Sequence, residues 1–181
     1  TGTNGLTIGD FWAWAYSDVL SNRNRSIFAE FIVGAALGGI DRPRIEWDGV
    51  DLRYSGKTIE VKSAAYLQSW SQQDLSRIRF DIAPKRAWDA ATNSSLKEGS
   101  RVADCYVFCL FTATESERAD VLDLNQWRFY VVSTPKLEAA LGEQKSCGLK
   151  SVEALVTPVN YRDLKSRVDH AVLPLATATG V

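Results

Sequence analysis

Apolar positions change their spacing along the chain, and each change marks an element. Phe11, Trp12, Trp14, Ala15, Val19 and Leu20 recur at helical spacing with a wide apolar face, and Thr7 can cap a helix that starts near Ile8. Ser21-Asn22-Arg23-Asn24 interrupts this pattern. A second helix is predicted from about Arg25 to Leu37, with Ile27, Phe28, Phe31, Ile32, Ala35 and Ala36 as its buried stripe and Gly38-Gly39 as its end. Glu30 stands among these apolar residues. The spacing then shortens. Short strands are predicted at Arg44–Trp47, Asp51–Tyr54 and Thr58–Ser63, with Ser55-Gly56-Lys57 as a hairpin turn between the last two. Over Leu75–Ile82, Ile78, Phe80 and Ile82 alternate with Arg77, Arg79 and Asp81, and Pro84 ends the strand. A helix around Arg86–Ala91 is one reading of the ambiguous stretch that follows.

Cys105–Phe111 is an unbroken apolar run, the pattern of a strand covered on both faces. Arg128–Ser133 predicts another strand. Pro135 suits the first turn of a helix through Leu141, and a last helix is expected over Tyr161–His170. Helices before, between and after strands imply a layered α/β fold.

Composition narrows this picture. The 181 residues are 45% hydrophobic and 24% charged, which suits one folded domain over 1–181. Within it lie a helical part at 7–38, a hairpin at 44–63 and the remaining sheet and helices at 75–171. No apolar run approaches the roughly 18 to 20 residues of a membrane span, and no leader-like segment opens the chain. A cytoplasmic protein without membrane contact is expected. Methionine is absent even at position 1, so trimming or a missing upstream segment is assumed. The single histidine, His170, excludes chemistry that needs several histidines. Three cysteines without Cys-x-x-Cys spacing read as reduced thiols, and with His170 they match no zinc pattern. Net charge is −1, which neither signals nor excludes nucleic acid.

Asp51 and Glu60-Val61-Lys62 carry the chemistry. Alternate residues of a strand share a face, so Glu60 and Lys62 project together while Val61 turns into the core. The hairpin folds Asp51 back beside them. Two hard carboxylates suit Mg²⁺, and a lysine at such a site can orient a water and help deprotonate it. An acid two residues before a lysine also occurs at Glu143/Lys145 and Asp163/Lys165. Those pairs fall in a loop and on a helix; only Glu60/Lys62 follows a glycine turn in a strand.

Asp51 with Thr58-Ile59-Glu60-Val61-Lys62-Ser63 resembles the PD-(D/E)xK, or restriction-endonuclease-like, nuclease superfamily. Arg25–Gly38, with Ala29-Glu30-Phe31, resembles the helix that often precedes that site. The resemblance spans about Arg25 to Ser133, and no proline precedes Asp51. It implies a central mixed sheet flanked by helices. It also implies a DNA endonuclease that hydrolyses phosphodiesters through a metal-bound water, with Mg²⁺ as cofactor and Mn²⁺ able to substitute. By the same resemblance Asp51, Glu60 and the Val61 carbonyl would bind metal. Lys62 would position the nucleophile, and Glu30 would hold a metal-bound water or a second metal. Asp48 competes for the first acid.

Plainer readings compete. The hairpin acids and Lys62 could form a solvated edge with a cross-strand ion pair. Glu30 could pair with Arg25 or Arg23, and Asp104 could be a strand-end residue paired with Arg101. Ser63, Gln72, Gln73, Arg77 and Arg79 could face DNA or simply solvent. Arg162, Lys165 and Arg167 read as a solvated helix face. The six tryptophans read mostly as core. A domain that binds nucleic acid or protein without cutting is the alternative function, and a homodimer is among the expectations.

Overall fold

A computed structural model describes residues 4–41, 43–46, 48–84, 88–89, 94–95 and 101–172. Helix α1 spans Ile8–Tyr16 and α2 Asn22–Leu37. Strands β1 (Leu52–Tyr54), β2 (Lys57–Ala65) and β3 (Arg79–Asp81) follow, then the short β4 (Trp88–Asp89) and β5 (Ser94–Ser95). The chain continues with β6 (Cys105–Phe111), β7 (Trp127–Ser133), α3 (Thr134–Leu141), β8 (Ser146–Gly148), α4 (Leu149–Glu153) and α5 (Tyr161–Val172).

The main sheet has the order β1-β2-β6-β7. The β2–β6 pair is parallel and the other two pairs are antiparallel, so the sheet is mixed. Every residue of β6 is buried, which is what its unbroken apolar run requires of a central strand. One face of the sheet carries α2 and α5, where Ala29, Val33, Leu164 and Val168 close over Ile59, Val107 and Phe129. The other face packs Phe80 and Ile82, Cys147 of β8, Leu137 of α3 and Val152 of α4 against Tyr106, Phe108 and Tyr130. An α/β architecture with a mixed four-stranded sheet flanked by helices is thus observed, consistent with a restriction-endonuclease-like core.

Local chemistry sets the elements that matter for the site. Thr7 caps α1 reciprocally with Asp10. Ser21 caps α2, and Gly38 ends it at φ 75°, a left-handed backbone that glycine adopts without cost. Ser55 and Gly56 have φ of 48° and 75°, and Tyr54 pairs with Lys57. This is a two-residue type I′ hairpin turn, which fixes the register of β1 on β2. At Gly34 an added Cβ would lie 3.0 Å from Ile40 Cγ2 and 3.4 Å from Leu52 Cδ2. The missing side chain lets α2 approach β1 closely.

Several expectations are corrected. Residues 43–46 form no strand. Pro43 has no N–H to give a ladder, and Arg44 turns its side chain to Glu30 instead. Trp88–Asp89 are extended rather than helical, and most of the rest of the predicted helix at Arg86–Ala91 lies outside the described residues. The β-ladder covers only Arg79–Asp81 of the predicted Leu75–Ile82, although Phe80 and Ile82 do point inward. The α2 stripe is Arg25, Ala29, Ile32, Val33 and Leu37, while Phe31 is exposed. Trp127 is core, but Trp12, Trp14 and Trp70 are exposed. Among the described residues no helix is long and apolar enough to cross a membrane.

Where β2 and β6 begin, Asp104 accepts hydrogen bonds from Thr58 N (2.8 Å), Thr58 Oγ1 (2.9 Å) and Lys57 Nζ (3.1 Å). Arg101 does not take this acid; it donates to the Ile82 and Gln144 carbonyls. Partial burial would raise the Asp104 pKa, but the bonds from Thr58 and Lys57 outweigh it and hold the carboxyl below its ordinary 3.8. A depressed carboxyl stabilises the fold above its unfolded pKa and loses that contribution as pH falls through the folded one. The stability gap between wild type and Asp104→Asn is therefore expected to be steady from neutral pH down to about 4 and to close below it. Urea midpoints between pH 7 and pH 3 measure this; a gap that widens on acidification contradicts it.

Candidate active site

The β1–β2 hairpin pairs Leu52 with Ile59. Asp51 stands immediately before β1, where this ladder ends. Asp51 Oδ2 accepts the Val61 N–H at 2.7 Å, which holds the acid over the strand. Lys62, two residues beyond Glu60 on the same face, donates from Nζ to Glu60 Oε1 at 2.6 Å. The Glu60 side chain is 3% exposed and that of Lys62 17%. These groups sit at a mostly dry end of a strand pair, unlike a solvated hairpin edge. Glu60 pairs in register with Tyr106 of β6. Burial first, and then the Glu60 charge, push the Tyr106 hydroxyl well above its ordinary pKa. That phenol stays neutral at physiological pH.

Glu30 reaches the neighbourhood from α2. With Asp48 and Asp51 it lines a cleft of about 550 Å³ whose other walls are α2, Gly39, Ile40, Pro43, Arg44 and β1. Its partner is Arg44, which grips both carboxylate oxygens, with Nη2 3.0 Å from Oε1. Neither Arg25 nor Arg23 fills that role. The bond to Glu30, with help from the Asp51 and Glu46 charges, raises the Arg44 pKa against the opposing effect of burial. Arg44 is therefore the fixed cation of the cleft. Sequence reading missed it because it was assigned to a strand; the Pro43 before it was the available signal. Asp48 also lines the cleft, held by Arg53 Nη2 at 3.0 and 3.1 Å.

The other candidates lie elsewhere. Ser63 falls on the face of β2 opposite Lys62, where its Oγ accepts from Arg25 Nε at 3.3 Å. Arg25 is 1% exposed, and burial lowers its pKa to about 10. Gln72 is spent inside the 66–76 loop: its Oε1 accepts the Gln68 N–H at 2.6 Å and its Nε2 donates to Ser76 Oγ at 3.0 Å. Gln73 is exposed. Arg77 and Arg79 are exposed too, with Arg79 on the separate β3–β8 ribbon. The cysteines are free and buried. Burial pushes the Cys105 thiol to about 12 and Cys147 to about 11, which suits inert packing groups. His170 is exposed on α5.

Among the described residues, no group of three or more His, Cys, Asp and Glu is gathered closely enough to hold a metal ion. The Asp51 and Glu60 carboxylates and the Val61 carbonyl are a smaller donor set. They are nonetheless hard oxygen donors, and Mg²⁺ characteristically binds one or two carboxylates and keeps several waters. The donor chemistry fits that ion.

A mixed four-stranded sheet flanked by helices, with acids at a hairpin, sets the chain among α/β proteins and is consistent with a restriction-endonuclease-like core. Sequence comparison then gives the family. Residues 14–125 match the model of the bacteriophage T4 endonuclease IV family, and the chain belongs to that family. The matched stretch includes Glu30, Asp51, Glu60 and Lys62, and the family makes the protein a nuclease. A comparison with curated proteins gives no match.

Proposed function

We propose that the chain is a Mg²⁺-dependent DNA endonuclease of the PD-(D/E)xK type. The observation that carries this reading is the Asp51 carboxylate held 2.7 Å from the N–H of Val61, the residue between Glu60 and Lys62, with Lys62 Nζ 2.6 Å from the Glu60 carboxylate. Membership of an endonuclease family supports it. Asp51, Glu60 and the Val61 carbonyl would hold Mg²⁺, which when bound supplies charge stabilisation at the scissile phosphate. Asp51 is oriented for this by the Val61 N–H. Lys62 orients a water and takes part in moving its proton, and Glu60 keeps the ammonium in position. Glu30 stands at the cleft wall and would join the site by releasing Arg44. That arginine would then be free to contact a phosphate.

The test is plasmid cleavage with Mg²⁺ or Mn²⁺ by wild type and Glu60→Ala. Wild type is expected to nick or cut in either metal and to stop in EDTA, and Glu60→Ala to be inactive in both. Cleavage that survives EDTA or the substitution overturns the assignment. One observation favours a second reading, a domain that binds without cutting: the Glu30 carboxylate is fully engaged by Arg44. A gel shift that persists in EDTA, with no cleavage in any divalent metal, would select it.

A further inference from the structure

Helix α1 buries none of its residues. Isolated helices shorter than about 12–15 residues are marginal in water, and packing of an apolar face usually supplies what they lack. Here the apolar face is bare. Trp14 is 83% exposed, Trp12 57% and Phe11 48%, with Leu6, Ile8 and Phe31 also open. Between α1 and α2 runs a groove of about 760 Å³, with Trp12, Tyr16, Val19, Ile27 and Phe28 in its wall. Ridge and groove thus lie side by side on one surface.

The size of this surface points to its occupant. Aromatic side chains carry about 150–250 Å² each, so at these exposures the patch amounts to roughly 800 Å². That exceeds the roughly 300–600 Å² of the largest patch on a typical monomer, and it matches one side of a standard protein interface. Charge narrows the choice further. The only ionised residue of α1 is Asp10, which helical spacing puts on the side away from Ile8 and Trp12, so the apolar face itself carries no charge. The groove rim carries both signs, Arg23 and Arg44 with Glu46, and can match itself across a twofold axis. A ridge beside a groove with a self-compatible rim is what an isologous contact needs.

We propose that α1 and the α1–α2 groove form the interface of a homodimer, with α1 of each copy seated against the groove of the other. Light scattering after size exclusion, on the full 181-residue chain at micromolar concentration, reads the mass directly. Wild type is expected at twice the 20.0 kDa of one chain. The double variant Trp12→Glu/Trp14→Glu is expected to be monomeric, with a dissociation constant raised at least about 100-fold. Because such a variant could misfold, a second measurement uses the exposed Ser17→Cys. All three native cysteines are buried, so a spin label goes to the new thiol, and a discrete short distance between labels is expected. A monomeric wild type overturns the proposal. Its tryptophans would then be shielded from acrylamide if a segment of the same chain covers the face, and open if a different protein does. A dimer unchanged by the double variant, or labels far apart in the dimer, overturns it equally.

Discussion

Lys62→Ala is expected to slow single-turnover DNA cleavage by about 10²–10⁴-fold, the usual worth of a positioned proton-transfer group. The ammonium is 2.6 Å from Glu60 Oε1 and largely shielded from water, so bulk solvent cannot readily stand in for it. Lys62→Arg separates charge from proton handling. An arginine keeps the cation but does not give up its proton, so this variant should bind DNA as wild type does and still cleave slowly. The alanine variant also leaves the buried Glu60 carboxylate without that cation. A stability loss of about 1–3 kcal/mol should accompany it, so rates must be compared well below both melting temperatures. Cleavage within threefold of wild type, in a protein shown to be folded, would remove Lys62 from the mechanism.

The largest stability effect is expected at Arg25. Its guanidinium is buried and donates to the Leu20 carbonyl (2.8 Å), Asn22 Oδ1 (2.8 Å) and Ser63 Oγ (3.3 Å). It ties the start of α2 to β2 just past Lys62. Arg25→Met keeps much of the volume and relieves the burial of a charge, which favours the variant. Against this, acceptors left buried and unpaired cost about 1–3 kcal/mol each. Asn22 is exposed and can turn to water, but the Leu20 carbonyl and Ser63 Oγ are half-buried, so the second effect still wins and a net loss of about 2–3 kcal/mol is expected. At about 2–4 °C per kcal/mol for a chain of this size, the melting temperature should fall by roughly 4–12 °C. A calorimetric scan measures it, and an unchanged transition would mean that water or a repacked loop satisfies those acceptors.

The central sheet and the hairpin were legible in the sequence because their signals are local or extreme. An all-apolar run allows little but a covered strand, and a glycine turn between short alternating segments fixes a register. That register brings Asp51, just before β1, back to the Val61 N–H. What was not legible depends on contacts between distant segments. Helix α2 is apolar on more than one side, so periodicity could not say that the small residues Ala29 and Gly34 face the sheet while Phe31 stays outside. Arg25 looked like a surface cation because nothing near it in sequence announces Ser63 or the 66–76 loop. Glu30 and Arg44 meet only because the chain after Gly38 doubles back. Tryptophan content suggested core, but a ring's burial depends on what covers its helix, and in one copy of the chain little covers α1.

The sheet is held together at its middle by a parallel ladder in which Ile59 pairs with Cys105, 46 residues on. The β1–β2 hairpin needs only two intervening residues and can close early. Its junction with β6 must wait until a long excursion has been threaded back, and that entropy is spent before the ladder repays it. Folding speed should therefore be set by this late closure. During the delay the free edge of β2 and the apolar β6 are open to pairing with other chains, which makes slow dilution at low protein concentration the prudent route to refolding.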